Sequence, residues 1–413
     1  MVLAPTGTAA FNVAGRTLHA ALKLPVPLTP TTFQKLENDA LATLQQCFKP
    51  VKTLVVDEMS MVGRRTLHIL DSRLRQAKAT PDIPFGGIHV FFIGDYGQLP
   101  PISDLEMYSG KTTKPDGQRY DNLSAKGKAA FRLFNHSLEL HENKRQSDTR
   151  FRDALWALRC GNLSEQQYAF FANRGCDHVG QAEVGKFSDA VRLMATHAME
   201  GAFNRKKLQE LSQAVFVIKA VHTGGKKAAA VPASECGLES ELLLAPGARV
   251  MLRANVWTTK GLTNGALGVL VDIVAAAANR MPQCALVRFD TYDGPAFFPS
   301  DPKVVPIVPT TCHFGGDKAL SRSNLPLVLA WAITIHKSQG ATYDRAVVNL
   351  GGKELSLGLT YVALSRVRSP TGLLLVGNYS RDRIMRVNLH QKHADRDAAE
   401  DWLDSLRPEN MML

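Results

Sequence analysis

Leu54-Val55-Val56-Asp57-Glu58 and His89-Val90-Phe91-Phe92-Ile93 bracket a segment, Gly63 to Lys78, in which Leu67, Leu70 and Leu74 recur at helical spacing. The two flanking runs are short, continuous and rich in β-branched or aromatic residues, so they read as parallel strands buried on both faces. Strand, helix, strand defines an α/β domain. The first strand ends in two adjacent acids, at the carboxyl edge where such sheets bind ligands. In nucleotide hydrolases the first such acid holds Mg²⁺ through water and the second polarises the attacking water. Taken alone, Asp57-Glu58 is equally an ordinary surface turn. The second strand runs into Gly94-Asp95-Tyr96-Gly97-Gln98-Leu99-Pro100-Pro101. Gln98 is a residue type that senses a γ-phosphate, and the Pro-Pro pair stiffens the loop that carries it. A rigid turn is the plain alternative, and the acidic strand upstream favours the functional reading.

Outward from this unit, residues 104–128 are polar and read as a surface loop. Phe151 to Leu163 is an amphipathic helix, and Val191–Met194 with Ala202–Leu211 forms a further strand and helix. The pattern changes near residue 214. Val215–Ile218, Arg249–Leu252, Leu267–Val271 and Ala285–Phe289 are short strands separated by turn residues, a spacing that predicts a small inserted β-barrel. Helical α/β character is expected to return with Leu327 to Gln339.

The chain has 413 residues, ordinary apolar content at 45%, and no apolar run near the roughly 20 residues a membrane span needs. Its net charge of +11 and pI of about 9.4 suit a nucleic-acid partner through phosphate contacts, though a generic basic surface has the same signature. The six cysteines are scattered without a Cys-x-x-Cys pair, which disfavours zinc and fits free thiols. Ile333 to Gln339 mixes apolar anchors with Thr334, His336, Lys337 and Ser338, side chains suited to phosphate-oxygen contact without base reading. Arg366 follows a buried-looking Tyr-Val-Ala-Leu run, and Arg145 is a second candidate. An arginine held by a rigid element can reach a γ-phosphate across a cleft. A surface salt bridge is the simpler role of either one taken singly.

The order of these motifs resembles the petite-integration-frequency (PIF) family of superfamily 1 DNA helicases and their RecD-like relatives. Val2 to His19, with Ala4–Ala10 and Gly15–His19, is similar to the family's first single-strand contact motif. Asp57–Val62 resembles its magnesium motif and Gly94–Pro101 its Gln-Leu-Pro-Pro motif. Leu140–Gln146, followed by Asp148, Phe151, Leu155, Leu158, Arg159 and Gly161, is similar to the motif with an Arg-Gln pair. Lys144 departs from the aromatic residue usual there. Pro246–Leu252 and Thr263-Asn264-Gly265 resemble the start of the inserted barrel. Leu329–Thr342 is the strongest match, and Tyr361–Arg368 closes the set.

The resemblance implies an α/β fold of two RecA-like P-loop NTPase motor domains with a small SH3-like β-barrel inserted. The expected division is residues 1–145, with a wedge at 20–52, then 146–213 with 325–413, and the barrel at 214–324. ATP and Mg²⁺ are the implied cofactors. Asp57 would hold Mg²⁺ through water and Glu58 would activate water. Gln98, Arg145, Gln339, Gly340 and Arg366 would face the nucleotide. Thr6, Thr8, His19, Thr334, His336, Lys337 and Ser338 would track single-stranded DNA. Fork or duplex-junction DNA is the implied substrate, a monomeric motor the implied state, and nucleus or mitochondrion the implied setting. The 5′→3′ polarity comes from the resemblance alone.

The family's Gly-x-x-x-x-Gly-Lys-[Ser/Thr] loop, whose backbone N–H groups cradle phosphates, is expected just before Val2, where only Met1 stands. The expectation is a truncated gene model, a fragment or a degenerate copy. Loss of its strand is expected to leave inner edges unpaired between the strands of the acid pair and the Gln loop. Ser109-Gly110-Lys111-Thr112 mimics the end of such a loop, but Leu105 stands where Gly is needed. Two rival readings are a single-strand-binding remnant without ATPase activity and a RecD-like subunit of a nuclease or relaxase complex.

Overall fold

In the computed structural model, residues 1–24, 33–112, 121–231, 233, 237–275, 281–313, 320–385 and 391–408 are described, with the backbone alone at 391–393. Residues 25–32 of the expected wedge, part of the polar loop, and Cys236 lie outside this set. The chain divides into two compact units. One comprises residues 1–5, 15–195 and 338–413, and the other comprises residues 6–14 and 196–337.

The first unit holds two parallel ladders. Val2–Ala4 pairs with Arg16–Thr17 on one side and with Thr53–Val56 on the other, and Thr53–Val56 pairs with His89–Phe92. The helix Arg64–Lys78 covers one face, burying Leu67, Leu70 and Leu74 with Leu3, Leu54 and Val56. The second ladder sets Ala346–Asn349 between Val191–Met194 and Leu373–Leu375. Thr53–Val56, His89–Phe92 and Val191–Met194 are short runs read from the sequence, the other strands are not, and parallel pairing follows because helices separate consecutive strands.

Two expectations are corrected here. The strands of the acid pair and the Gln loop are direct neighbours: the Ile93 amide donates to the Val56 carbonyl at 2.8 Å and that of His89 to Lys52 at 3.0 Å. No slot opens between them, because each strand's inner hydrogen-bonding groups satisfy the other's. The sheet's edges among the described residues are the far sides of Arg16–Thr17 and of His89–Phe92. Nor is the His89–Phe92 strand buried on both faces: Phe91 and Ile93 are 53% and 47% exposed.

The second unit is mainly antiparallel. Its largest sheet runs Val304–Ile307, Cys284–Phe289, Leu267–Val274, Arg249–Leu252, Leu327–Leu329. The strand read at Val215–Ile218 forms as Phe216–Lys219 but joins a separate ladder with Glu241–Leu244. Leu327 to Gln339 is not a helix. It splits into strands Leu327–Leu329 and Ala332–Thr334 and a 3₁₀ turn Ile335–Ser338. Asn204 explains the break: its side chain accepts from Ala332 N and donates to the carbonyls of Leu329 and Ala332. That satisfies backbone groups a helix would otherwise pair internally.

At the contact between helices Arg64–Lys78 and Asn122–Phe131, a Cβ on Gly127 would lie 1.8 Å from the Arg64 carbonyl oxygen. Gly127→Ala therefore forces these helices apart. Its expected cost is about 1–3 kcal/mol, read as a lower denaturant midpoint. Phe91→Lys, on the exposed edge strand, is expected to leave stability within about 0.5 kcal/mol. It should lower light scattering on concentration, since lysine blunts edge-to-edge pairing.

Candidate active site

The first strand delivers its acids where the backbone turns sharply. The Asp57 amide donates to the Leu3 carbonyl at 2.9 Å, which fixes the strand end. Glu58 then adopts a left-handed conformation, φ 51° and ψ 50°, before the 3₁₀ turn Met59–Met61. A non-glycine residue there is strained, and such strain persists only where the surroundings over-determine it. The surroundings here are the Gln loop. Met59 N donates to Ile93 O at 3.0 Å, and a Cβ on Gly94 would sit 2.7 Å from Met59 N. The two loops are thus packed backbone against backbone.

Around Glu58 the first unit gathers four other candidates. Gln339 Nε2 donates to Glu58 Oε2 at 3.0 Å and to Ser60 Oγ at 3.2 Å. Gly340, with φ of 78°, lets the chain turn away directly afterwards. Arg366 is buried at the end of the Leu359–Leu364 helix, its Nε on Val362 O at 2.8 Å and one terminal nitrogen on Ser365 Oγ at 2.8 Å. Arg145 reaches Ser365 O at 3.3 Å. Gln146 pins the same turn, donating to the carbonyls of Ser365 and Val367.

The electrostatics reflect this crowding. Burial raises the Glu58 pKa above the ordinary carboxylate value. The Gln339 hydrogen bond opposes that shift, Asp57 adds to it, and Arg366 and Arg145 pull it back. Burial and the neighbouring Arg145 push Arg366 down to about 10, with Glu58 acting in the opposite sense. Burial also lowers Arg145. Two guanidiniums thus act on the Glu58 carboxylate, which has Asp57 beside it, and the same guanidiniums are suited to an anion such as a terminal phosphate. The buried Oε1 atoms of Gln98 and Gln339 have no hydrogen-bond partner. Both are acceptors, which suits them to a water's protons and not to a phosphate oxygen. The residue set therefore fits the phosphate end of a nucleotide and a water beside it.

Sequence reasoning missed the brace behind the Gln loop. Asp95 accepts from Gly97 N and from Arg159 Nε, both at 2.8 Å. Arg159 also pairs with Glu400 at 2.6 Å. Asp95 and Arg159 both stood within quoted motifs, but only tertiary contact reveals the ion pair. Lys144, the departure from the family pattern, is exposed and pairs with Glu142. Asp57 is half-buried at the strand end, and no cluster of three metal-ligating side chains occurs among the described residues. Ser109-Gly110-Lys111-Thr112 is a structural clamp: the Gly110 amide donates to the Asp395 carboxylate at 3.0 Å, so an internal anion takes that amide.

The single-strand candidates are distributed over both units. His19, half-buried with its pKa lowered by burial, and Ser338 belong to the first. Thr6, Thr8, Thr334, His336 and Lys337 belong to the second. Thr6 caps the helix Gly7–Asn12, and Thr8 Oγ1 donates to Asn264 O at 3.1 Å. Thr334 and Ser338 are buried, at 3% and 0% exposure, so their hydroxyls do not face solvent as expected. Short strand and 3₁₀ geometry turns them inward where a helix start would have presented them. Lys337 is engaged with buried Glu200 at 2.7 Å, and burial lowers the pKa of both Lys337 and His336.

Two parallel ladders, with acid, glutamine and arginine side chains converging at loop ends, are the architecture of a RecA-like fold. Residues 1–169 match the model of the PIF1-like helicase family. The human ATP-dependent DNA helicase PIF1 is 33% identical over 371 residues, covering 90% of this chain and 53% of that protein. The Pif1 helicase of Bdellovibrio bacteriovorus is 28% identical, covering 91% of this chain and 77% of the relative. The crystal structure of Bacteroides Pif1 bound to single-stranded DNA matches with TM-score 0.71 and 25% identity, over 98% of this chain and 88% of that one. Pif1 helicase from Candida albicans matches at TM-score 0.70 and 26% identity, over 97% and 88%. The chain is thus similar to PIF1-like helicases along most of its length, and it spans about half the length of the human relative. No helix among the described residues is long and apolar enough to cross a membrane.

The raised pKa of Glu58 has a thermodynamic consequence. Below the ordinary carboxylate pKa the group is protonated, folded or unfolded, and costs nothing. Above the raised folded value the ionised form penalises the folded state. Glu58→Gln is expected to melt higher than wild type at pH 7. The gap should close as pH falls through the carboxylate range, measured by thermal melts at pH 7 and pH 4.

Proposed function

We propose that this chain is the motor portion of an ATP-dependent DNA helicase that moves 5′→3′ on single-stranded DNA. The observation that carries the reading is the convergence of Glu58, Gln339, Arg145 and Arg366 within one unit. ATP, when bound, supplies a phosphoanhydride whose hydrolysis drives movement. Glu58 accepts the proton of the attacking water, its ionised form favoured by the two arginines. Gln98 and Gln339 orient that water through their side-chain carbonyls. Arg145 and Arg366 hold the charge that develops on the transferred phosphoryl group. Asp57, at the strand end, would hold Mg²⁺ through water.

Residues 1–145 would form the first motor domain, with its wedge at 20–52. Residues 146–213 with 325–413 would form the second, and 214–324 the inserted barrel. Thr6, Thr8, His19 and the 334–338 segment would follow the DNA strand, chiefly by backbone contact. Forked or junction DNA is the proposed substrate, in repair, recombination or telomere maintenance in nucleus or mitochondrion. A second reading is a single-strand binder without ATPase activity. It is favoured by the engagement of the Gly110 amide with Asp395, which takes the one loop resembling a phosphate cradle out of that role.

Hydrolysis assays and titration with a fluorescent ATP analogue, with and without single-stranded DNA, separate these readings. The motor is expected to hydrolyse ATP faster when DNA is present, and a remnant is expected to bind DNA but no nucleotide. Arg366→Ala should lower kcat by roughly 10³-fold or more while DNA affinity holds. An unchanged kcat in that variant removes the phosphoryl-stabilising role.

A further inference from the structure

Resting on the reading of a single-strand-tracking protein, we infer that one end of the antiparallel unit is a stacking platform for DNA bases, with Trp257 as its fixed member. The register places the loops together. Leu267 pairs with Met251, Gly268 with Phe289, and Arg288 with Val304. The connections 253–266 and 290–303 therefore leave the sheet at the same end. The Asp293 amide, donating to Lys260 O at 3.2 Å, ties one to the other.

These adjoining loops carry exposed aromatic side chains. Trp257 is 40% exposed, Phe297 52% and Phe298 38%, with Val256 exposed beside Trp257. Large apolar groups at loop tips gain nothing for the fold by facing water, so a ligand with flat apolar faces is the natural occupant. The Trp257 turn is rigid. Its amide donates to Leu262 O at 3.0 Å, the Leu262 amide returns to Trp257 O at 3.1 Å, and Lys260 N donates to Trp257 O at 3.0 Å. A backbone pre-set in this way lowers the ordering cost of presenting the ring for stacking.

The polar surroundings select nucleic acid over a purely apolar partner. The Gly7–Asn12 helix packs on the same turn, and Thr8 bonds Asn264, whose amide is held by Asn255 Oδ1 at 2.9 Å. Thr6 and Thr8, proposed to follow the DNA backbone, therefore lie at the end that carries the rings. Between Arg249 and Asp272 the chain has Arg253 and Lys260 and no acid, and of the three aspartates in 290–303, Asp290 and Asp301 are paired with Arg249 and Arg288. Backbone-tracking polar groups beside aromatic faces are the combination that binds single strands with little sequence preference. Sequence patterning did not single out Trp257, because one Trp in a turn carries no period.

The test uses the full chain with fluorescein-labelled oligo(dT) and an abasic oligonucleotide of equal length, which keeps the phosphates and removes the bases. Wild type is expected to favour oligo(dT). Trp257→Ala should weaken oligo(dT) binding about tenfold, within limits of roughly 5- to 100-fold, and leave abasic binding nearly unchanged. Trp257→Phe should recover most of the loss, and Phe297→Ser, at an exposed loop position, should give a smaller loss. Circular dichroism checks the fold of each variant. Equal affinity of wild type and Trp257→Ala for oligo(dT), or no preference of wild type for it over the abasic strand, overturns the platform and leaves the helicase reading standing. Failure of wild type to bind either oligonucleotide overturns the helicase reading itself.

Discussion

A carboxylate held in a left-handed turn, against two guanidiniums and an amide, is the constraint around which the first unit is arranged. Glu58 reaches that position because its strand is fixed by Leu3 and its turn is packed on the Gln loop. Burial makes its charge expensive, and the Gln339 hydrogen bond and nearby cations offset the cost. Arg366 and Arg145 supply the cations from segments more than eighty residues and three hundred residues along the chain. A buried cluster of ionisable groups with perturbed pKa values is chemically suited to an anionic ligand such as phosphate.

The polar braces set the positions of these groups. Asp95, Arg159 and Glu400 tie the Gln loop to two helices, while Gln146 spans the turn that carries Arg366. Gln146 joins two irregular segments, whereas the Arg159 brace joins the Gln loop to helices. Loops that carry chemistry are positioned by rigid supports in this way.

The antiparallel unit follows a different logic. Its five-stranded sheet buries an apolar core, while one end gathers Thr8, Asn264 and exposed rings. Strand pairing determines which loops share that end, since antiparallel neighbours alternate direction. Trp257 and Phe297 are forty residues apart yet belong to the same loop cluster for that reason.

Much was legible in the residues. The strands around Leu54 and His89, the helix Arg64–Lys78 and the helix Thr149–Cys160 follow from hydrophobic period and caps, because local burial patterns repeat every two or 3.6 residues. The motif order also marked Glu58, Gln98, Gln339 and Arg366 together. Hidden from it were the strands within Leu327–Thr334, the inward turn of Thr334 and Ser338, the ion pair of Asp95 with Arg159, and the exposure of Phe91. Each depends on a partner remote in the chain: Asn204 for the broken segment, Arg159 for the loop, and the packing on either face for the edge strand. A periodic pattern records what a residue prefers locally. Which distant group satisfies its hydrogen bonds and charge is settled only when the chain closes on itself.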